Sequence, residues 1–329
     1  MIHWGIIGTG NIANQFASDF KYVKLGKLVA VASRSKERAD NFAKKYAIEK
    51  TYSSYESLIK DPSIDVIYIA TPHTSHKEYT LLALNHNKNV LCEKPFAMNK
   101  SEVNEMIQLA KEKNLFLMEA MWMAFQPAFQ QVQRWIHEGR IGKIKSIRAE
   151  FGFQPPYDLD SRLYNIDLGG GTLLDMGIYP LTLALYIFDK SPSDIQAMAY
   201  IGESNVDEQL SVNLKFEADQ IAMLSSSFMS KFKDDAYIYG DKGYIHFPNF
   251  WYSKKASLVT KTETIDYERT TPIFGYAYEA DHVNQMLEEK KSQSDIVTHE
   301  KSMRIIKNMD SIRDIIGLKY PFENEGGNK

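Results

Sequence analysis

The chain has 329 residues, 44% of them hydrophobic, which suits about two domains with sizeable cores. Its net charge of −3 gives no general field toward nucleic acid or an anionic membrane. The single cysteine, Cys92, leaves no material for an internal disulfide framework or a thiolate metal cluster. The start MIHWGIIGTG does not read as a secretory leader and no run approaches bilayer-spanning length, so the expectation is a cytoplasmic chain.

In chain order, IHWGII (2–7) reads as a strand and 11–20 as a helix. LVAVAS (28–33) follows as a strand buried on both faces and 36–46 as an amphipathic helix. A short helix near 55–60, a strand DVIYIA (65–70) and a helix over 77–85 come next. They are followed by a strand NVLCE (89–93), a helix over 100–113 and a strand LFLMEA (115–120). This alternation predicts a parallel, doubly wound Rossmann sheet. From about residue 142 the pattern changes to segments rich in β-branched and aromatic residues: 141–153, 195–202, 208–217, 220–229, 235–247 and 256–261. These predict a large open sheet, mostly antiparallel, with helices over 125–137, 173–188, 276–291 and 301–317. The fold class is α/β, with a Rossmann domain over 1–121 and a substrate-binding and dimerisation domain over 122–329. The C-terminal helices are candidates to pack back on the first domain.

GTGNIA follows the first strand and opens a helix. Gly8 permits the tight turn, Gly10 lets backbone N–H groups approach a pyrophosphate, and Thr9, Asn11 and Ile12 complete the loop, with Ala13 replacing the third glycine. Dinucleotide binders that prefer NAD carry an acid about 20 residues on, at the end of the second strand. Here that place holds Ser33, Arg34 and Ser35, which suits a 2′-phosphate; the expectation is NADP, with NAD as the alternative. ATPHTSH follows the third strand at the ligand-binding edge and adds Ala70, Thr71, Pro72, His73 and His76. Two histidines without a third ligand do not make a metal site, so no metal is expected. The histidines are candidates for contacts to the nicotinamide ribose or substrate, or for ordinary polar roles at a helix start.

LCEKP leaves a strand at the same edge. Pro95 restricts Lys94 to an extended backbone and aims its ammonium, and a tight X-Pro turn raises the prospect of a cis bond. Glu93 either holds that turn or pairs with a cofactor hydroxyl. In LGGGTLLDMGIYPL, Asp175 and Tyr179 stand four apart on one face of an apolar helix, with Pro180 expected to kink it just after Tyr179. A tyrosine beside an ammonium suits the proton transfer that hydride chemistry needs, although each residue alone also fits a packing role.

In order along the chain, GTGNIA, SRS, ATPHTSH, CEKPFAMN, EAMWMAFQP and LGGGTLLDMGIYPL resemble the glucose–fructose oxidoreductase, inositol dehydrogenase and rhizopine-catabolism (Gfo/Idh/MocA) family. The resemblance extends in particular to its dihydrodiol and NADP-dependent xylose dehydrogenase branch. It implies that Lys94 and Tyr179 are the catalytic pair, that Asp175 joins them, and that Trp122 and His76 line the cofactor and substrate site. It further implies a homodimer or higher homo-oligomer through the C-terminal sheet. Ala124 departs from the branch, which often has arginine there. The expected reaction is hydride transfer between nicotinamide and a hydroxyl-bearing carbon of a sugar, polyol or vicinal diol, the ammonium and phenol converging on one oxygen. The alternatives are a nicotinamide-dependent glycosidase using transient oxidation and a non-catalytic NADP(H) sensor. Arg148 and Arg162 are candidates for the cleft or plain surface charges. The aromatic residues Trp251, Tyr252, Phe274 and Tyr276 suit a pocket wall or interior packing.

Overall fold

The computed structural model describes residues 1–217, 219–271 and 273–326. The chain forms two compact units, Met1–Phe125 with Pro272–Met303, and Gln126–Thr271 with Arg304–Lys329. The short turn Trp122–Phe125 and the segment after 272 thus belong to the first unit.

The first unit begins β1 (Ile2–Ile7), α1 (Asn11–Phe20), β2 (Gly26–Ala32), α2 (Lys36–Tyr46), β3 (Lys50–Tyr52) and α3 (Tyr55–Ile59). It continues with β4 (Val66–Ile69), α4 (His76–Asn85), β5 (Asn89–Glu93), α5 (Lys100–Glu112) and β6 (Leu117–Ala120). All its strand pairs are parallel, in the order β3-β2-β1-β4-β5-β6. That order reverses direction between β1 and β4, the switch point outside which open α/β sheets bind nucleotides. The near-continuous apolar runs are explained by burial on both faces: every residue of β4 and β6 is buried. The three residues of β3, each half-buried, are too few to show a period, and the sequence pattern passes over them.

The second unit starts with α6 (Pro127–His137), β7 (Ile144–Gly152) and α7 (Ile178–Phe188). Next come β8 (Asp194–Ile201), β9 (Asp207–Lys215), β10 (Ile221–Ser227), β11 (Ala236–Gly240), β12 (Gly243–Phe247), β13 (Lys255–Thr260) and β14 (Thr264–Glu268). They form one sheet ordered β14-β13-β12-β11-β7-β10-β9-β8, antiparallel throughout except for the β7–β10 pair. In β9 burial alternates strictly from Gln209 to Lys215, as expected for a sheet with one covered and one open face. β14 is a half-exposed edge strand that the apolar pattern did not reveal.

The remaining helices are α8 (Tyr276–Glu288), in the first unit, and α9 (His299–Ile316). Trp4 donates from Nε1 to Asn284 Oδ1 at 2.9 Å, tying β1 to α8. Asp19 on α1 accepts the N–H groups of Phe274, Gly275 and Tyr276 at 3.2, 2.7 and 3.0 Å. A carboxylate from a neighbouring helix therefore caps α8, whose own N-cap residue, Gly275, has no side chain.

One expectation needs correction. Ile166–Phe188 spans 23 residues and is long and apolar enough to cross a membrane. Its most apolar stretch is 89% buried inside the fold. Gly169 and Gly171, at φ 72° and 113°, also break it into a 3-10 turn and a separate helix. It is a core segment of the second unit.

Candidate active site

The nucleotide cradle is built at the switch point. Gly8 has φ 101°, and a Cβ there would stand 2.5 Å from the carbonyl oxygen of Ala70, so only glycine fits. Gly10 is the N-cap of α1, makes no side-chain cap, and a Cβ on it would enter open space. The start of α1 thus has no side-chain cap and open space beside Gly10, which suits the close approach of a pyrophosphate to a helix N-terminus. Thr9 Oγ1 reaches Ser33 Oγ at 3.4 Å, and Ser33 Oγ accepts the Ser35 N–H at 3.3 Å.

The charged neighbours of this loop are not equivalent. Arg34 is exposed and its guanidinium lies near the Tyr55 phenol, which burial pushes up while the positive charge pulls it down. Tyr55 meets Tyr79 edge-on at 4.9 Å. Lys36, counted in the sequence as extra positive charge, is committed to Asp40 at 2.7 Å and to Thr51. Arg34 is thus the β2-end cation presented beside the cradle.

The Lys94 turn is fixed from three sides. Glu93, buried, accepts the Tyr68 hydroxyl and the Lys94 N–H, the latter at 3.2 Å. His76 places Nδ1 2.8 Å from the Pro95 carbonyl and Nε2 3.0 Å from that of Thr71, joining this turn to the β4 loop. Glu119 accepts the Phe96 N–H at 3.0 Å. The Lys94–Pro95 bond is cis, as the tight turn suggested. A run of contacts thus links Ser33, Thr9, Gly8, Ala70, Thr71, His76 and Pro95 along one sheet edge. Asn11 and Ile12 open α1, and Pro72 leads into a 3-10 turn holding His73, whose ring lies 5.8 Å from that of His76.

Three features were hidden in the sequence. His76 is fully buried with both ring nitrogens at backbone carbonyls, so it acts on the site by holding two loops together. Trp122 stacks on Tyr276 at 4.5 Å, and the Tyr276 hydroxyl donates to Gln15 on α1 at 2.9 Å, so Tyr276 is packed inside the first unit. Glu279 is wholly buried on α8, and burial, with Glu93 and Asp19 nearby, drives its carboxyl toward the neutral form. Ala124 is also wholly buried. Among the described residues no three His, Cys, Asp or Glu side chains gather as a metal-ligand set.

In the second unit, Tyr179 is 5% exposed, with its ring 5.8 Å from Phe151 and 5.9 Å from Trp251, which stack on each other at 4.7 Å. Arg162 pairs with Asp175 at 2.8 Å. The arginine side chain is half exposed, so the pair adds only about 0–1 kcal/mol to stability and mainly orients the carboxylate. Arg148 is exposed and alternates along β7 with buried Ala149 and Phe151, which puts it on the sheet face opposite Tyr179's neighbour. The irregularity tied to Pro180 lies before Tyr179, not after it: Leu173–Gly177 is a π-helix that runs into α7. Proline has no N–H for the Met176 carbonyl, and its ring crowds that carbonyl four residues back, so the ladder opens there.

Residues 2–121 match the model of the oxidoreductase family with an NAD-binding Rossmann fold, and 129–246 match the GFO/IDH/MocA C-terminal domain. The trans-1,2-dihydrobenzene-1,2-diol dehydrogenase of Xenopus laevis is 39% identical over 328 residues, covering 97% of this chain and 99% of the relative. The chain belongs to the Gfo/Idh/MocA family. As a member it is an NAD(P)-dependent oxidoreductase acting on CH–OH groups. Two solved structures share the Gfo/Idh/MocA fold. An aldose-aldose oxidoreductase from Caulobacter crescentus, complexed with glycerol, has TM-score 0.87 at 22% identity, over 95% of this chain and 97% of that one. A 3-ketoreductase from Actinomadura kijaniata, in complex with NADP and TDP-benzene, has TM-score 0.86 at 23% identity, over 96% and 98%.

Proposed function

We propose that this Gfo/Idh/MocA member is an NADP-preferring dehydrogenase of a vicinal diol, sugar or polyol, with Tyr179 as acid/base and Lys94 as its electrostatic partner. The observation that carries the reading is the Lys94 turn: a lysine at the carboxyl edge of a nucleotide-binding sheet, beside the switch point, with its backbone pinned by Glu93, His76 and Glu119. Such pinning serves a group whose ammonium must stand in one place. The nicotinamide, when bound, supplies or accepts the hydride.

In the oxidation direction Tyr179 takes the proton of the substrate hydroxyl. Lys94 stabilises the developing alkoxide and lowers the cost of ionising the phenol. Asp175, steered by Arg162, holds a neighbouring polar group of the substrate. Gly8, Thr9, Gly10, Asn11 and Ile12 cradle the pyrophosphate, and Ser33, Arg34 and Ser35 hold the 2′-phosphate. Ala70, Thr71, Pro72, His73, Glu93 and Trp122 line the nicotinamide half, with His76 behind them. The second unit, rather than the whole of 122–329, provides the substrate wall, in which Phe151 and Trp251 offer stacking surface.

The 39% identity to a dihydrodiol dehydrogenase favours a diol as substrate. Assaying trans-1,2-dihydrobenzene-1,2-diol, aldoses and inositols with NADP and with NAD tests the reading: diol- or sugar-dependent NADP reduction supports it, and none with any of them contradicts it. The reading includes a homodimer through the open sheet face, where Met198 is 78% exposed and Tyr237 stacks on His246 at 4.5 Å. Light scattering that returns only the monomer mass would refute that part. A cytoplasmic location belongs to the same reading, and fractionation of the native protein checks it.

A further inference from the structure

The helix that carries Asp175 and Tyr179 begins in an unusual way. Its first turn is the π-helix Leu173–Gly177, preceded by three glycines, and no residue of its own chain segment caps it. The cap comes from Asp207, at the start of β9. Asp207 Oδ2 accepts the Leu173 N–H at 2.7 Å and the Thr172 hydroxyl at 3.3 Å. Thr172 Oγ1 is in turn 2.5 Å from Ser226 Oγ, at the end of β10. The glycine run is held from another side by Tyr320, whose hydroxyl donates to the Gly170 carbonyl at 2.6 Å. Gly171, at φ 113°, lets the loop press against the Asp207 carboxylate, and a Cβ there would collide with Oδ1.

This arrangement is costly for fold stability alone. Asp207, Thr172 and Ser226 are all 0% exposed, and Asp207 Oδ1 has no hydrogen-bond partner among the described residues. A wholly buried carboxylate with one oxygen lacking a partner is a costly way to cap a helix. Its burial pushes the carboxyl up to about 7, against the N–H and hydroxyl donors that stabilise its ionised form. What Asp207 does secure is geometry. A π-turn has a looser hydrogen-bond ladder than an α-turn, and Tyr179 lies six residues beyond the capped N–H, inside one continuous helical segment.

We infer that Asp207 is a positioning residue for the reaction: by fixing the first turn of this helix through Leu173 and Thr172, it sets where the Tyr179 hydroxyl stands during proton transfer. The inference rests on the reading of Tyr179 as acid/base. Asp207 reaches neither substrate nor cofactor in this role; it acts through the helix.

The test is a double-mutant cycle between Asp207→Asn and Tyr179→Phe, with kcat and cofactor Kd measured for the full chain. Asparagine keeps the size and an acceptor but not the charge. Asp207→Asn is expected to lower kcat by about 10–100-fold, the effect of a misplacement near 1 Å, with cofactor Kd unchanged. In the Tyr179→Phe background the same change is expected to cost nothing further, because the group it positions is gone. Ser226→Ala, at the far end of the relay, should follow the same pattern with a loss of a few-fold and stands in if Asp207→Asn does not fold. A wild-type kcat in both Asp207→Asn and Ser226→Ala, or an equal fold loss in both backgrounds, would overturn the inference while leaving Tyr179 in place. Wild-type turnover in Tyr179→Phe would overturn the acid/base reading and this inference with it.

Discussion

The turn carrying Lys94 and the turn leading to Tyr179 are both held by buried carboxylates, but the two networks differ in reach. Around Lys94 the anchors are neighbours on the sheet edge: Glu93 adjoins it, and Glu119 is the last residue but one of the next strand. Around Tyr179 the anchor is Asp207, borrowed from a strand of the open sheet. The first turn has three backbone points fixed independently. In the second, the N–H that opens the helix is held by one carboxylate and the two hydroxyls in line with it, while Tyr320 holds the glycine run before it. A turn whose backbone is fixed at several points tolerates loss of one, whereas a helix start capped by one carboxylate transmits the loss along its helix.

The largest expected effect removes the charge from the better-anchored turn. Lys94→Ala should lower kcat by about two to four orders of magnitude, the usual worth of a positioned proton-transfer group, with cofactor Kd within a few-fold of wild type. Steady-state kinetics beside a fluorescence titration of NADPH reads both, and an unchanged kcat would remove Lys94 from the chemistry. Arg34→Ala should cost about 10-fold in kcat/KM for NADP and leave NAD nearly unchanged, since a charge-assisted contact to the 2′-phosphate is the difference between the cofactors. Equal losses with both cofactors would reassign Arg34 to holding Tyr55.

A smaller effect separates the anchors by pH. Burial raises Glu119 to about 7, above its unfolded value. The sign follows: between about pH 4.5 and 7 the unfolded chain has lost this proton while the folded chain keeps it, so the group's contribution to stability falls as pH rises through that window. Glu119→Gln retains an acceptor for Phe96 and cannot titrate. Its Tm should vary less between pH 5 and 7.5 than that of wild type, by a few degrees. Superimposable Tm–pH curves would mean that Glu119 is ionised throughout.

Much of the first unit is legible because its signals are local. The glycine loop, the strand-end SRS and the Glu-Lys-Pro turn each lie within a few residues, and steric rules for glycine and proline tie them to one conformation. The parallel order follows from alternation, since buried strands must be apolar on both faces. The signals fail where the partner is distant in sequence. Nothing near Asp207 marks it as the cap of a helix 34 residues earlier, and nothing near Asp19 marks it as the cap of α8. His76 has the spacing of a ligand but spends both nitrogens on carbonyls, a use that only the folded loops disclose. The π-turn before Tyr179 follows from Pro180 once the crowding of proline against the carbonyl four residues back is considered; expecting the kink just after Tyr179 put the break on the wrong side.

Tyr179→Phe is the direct probe of the proton-transfer assignment, because it removes one hydroxyl and leaves the ring that packs beside Phe151 and Trp251. With the best substrate of the panel, its kcat should fall by about 10²–10⁴-fold while NADPH Kd stays at the wild-type value. A variant that turns over at the wild-type rate would assign the proton to another group and contradict the proposed chemistry.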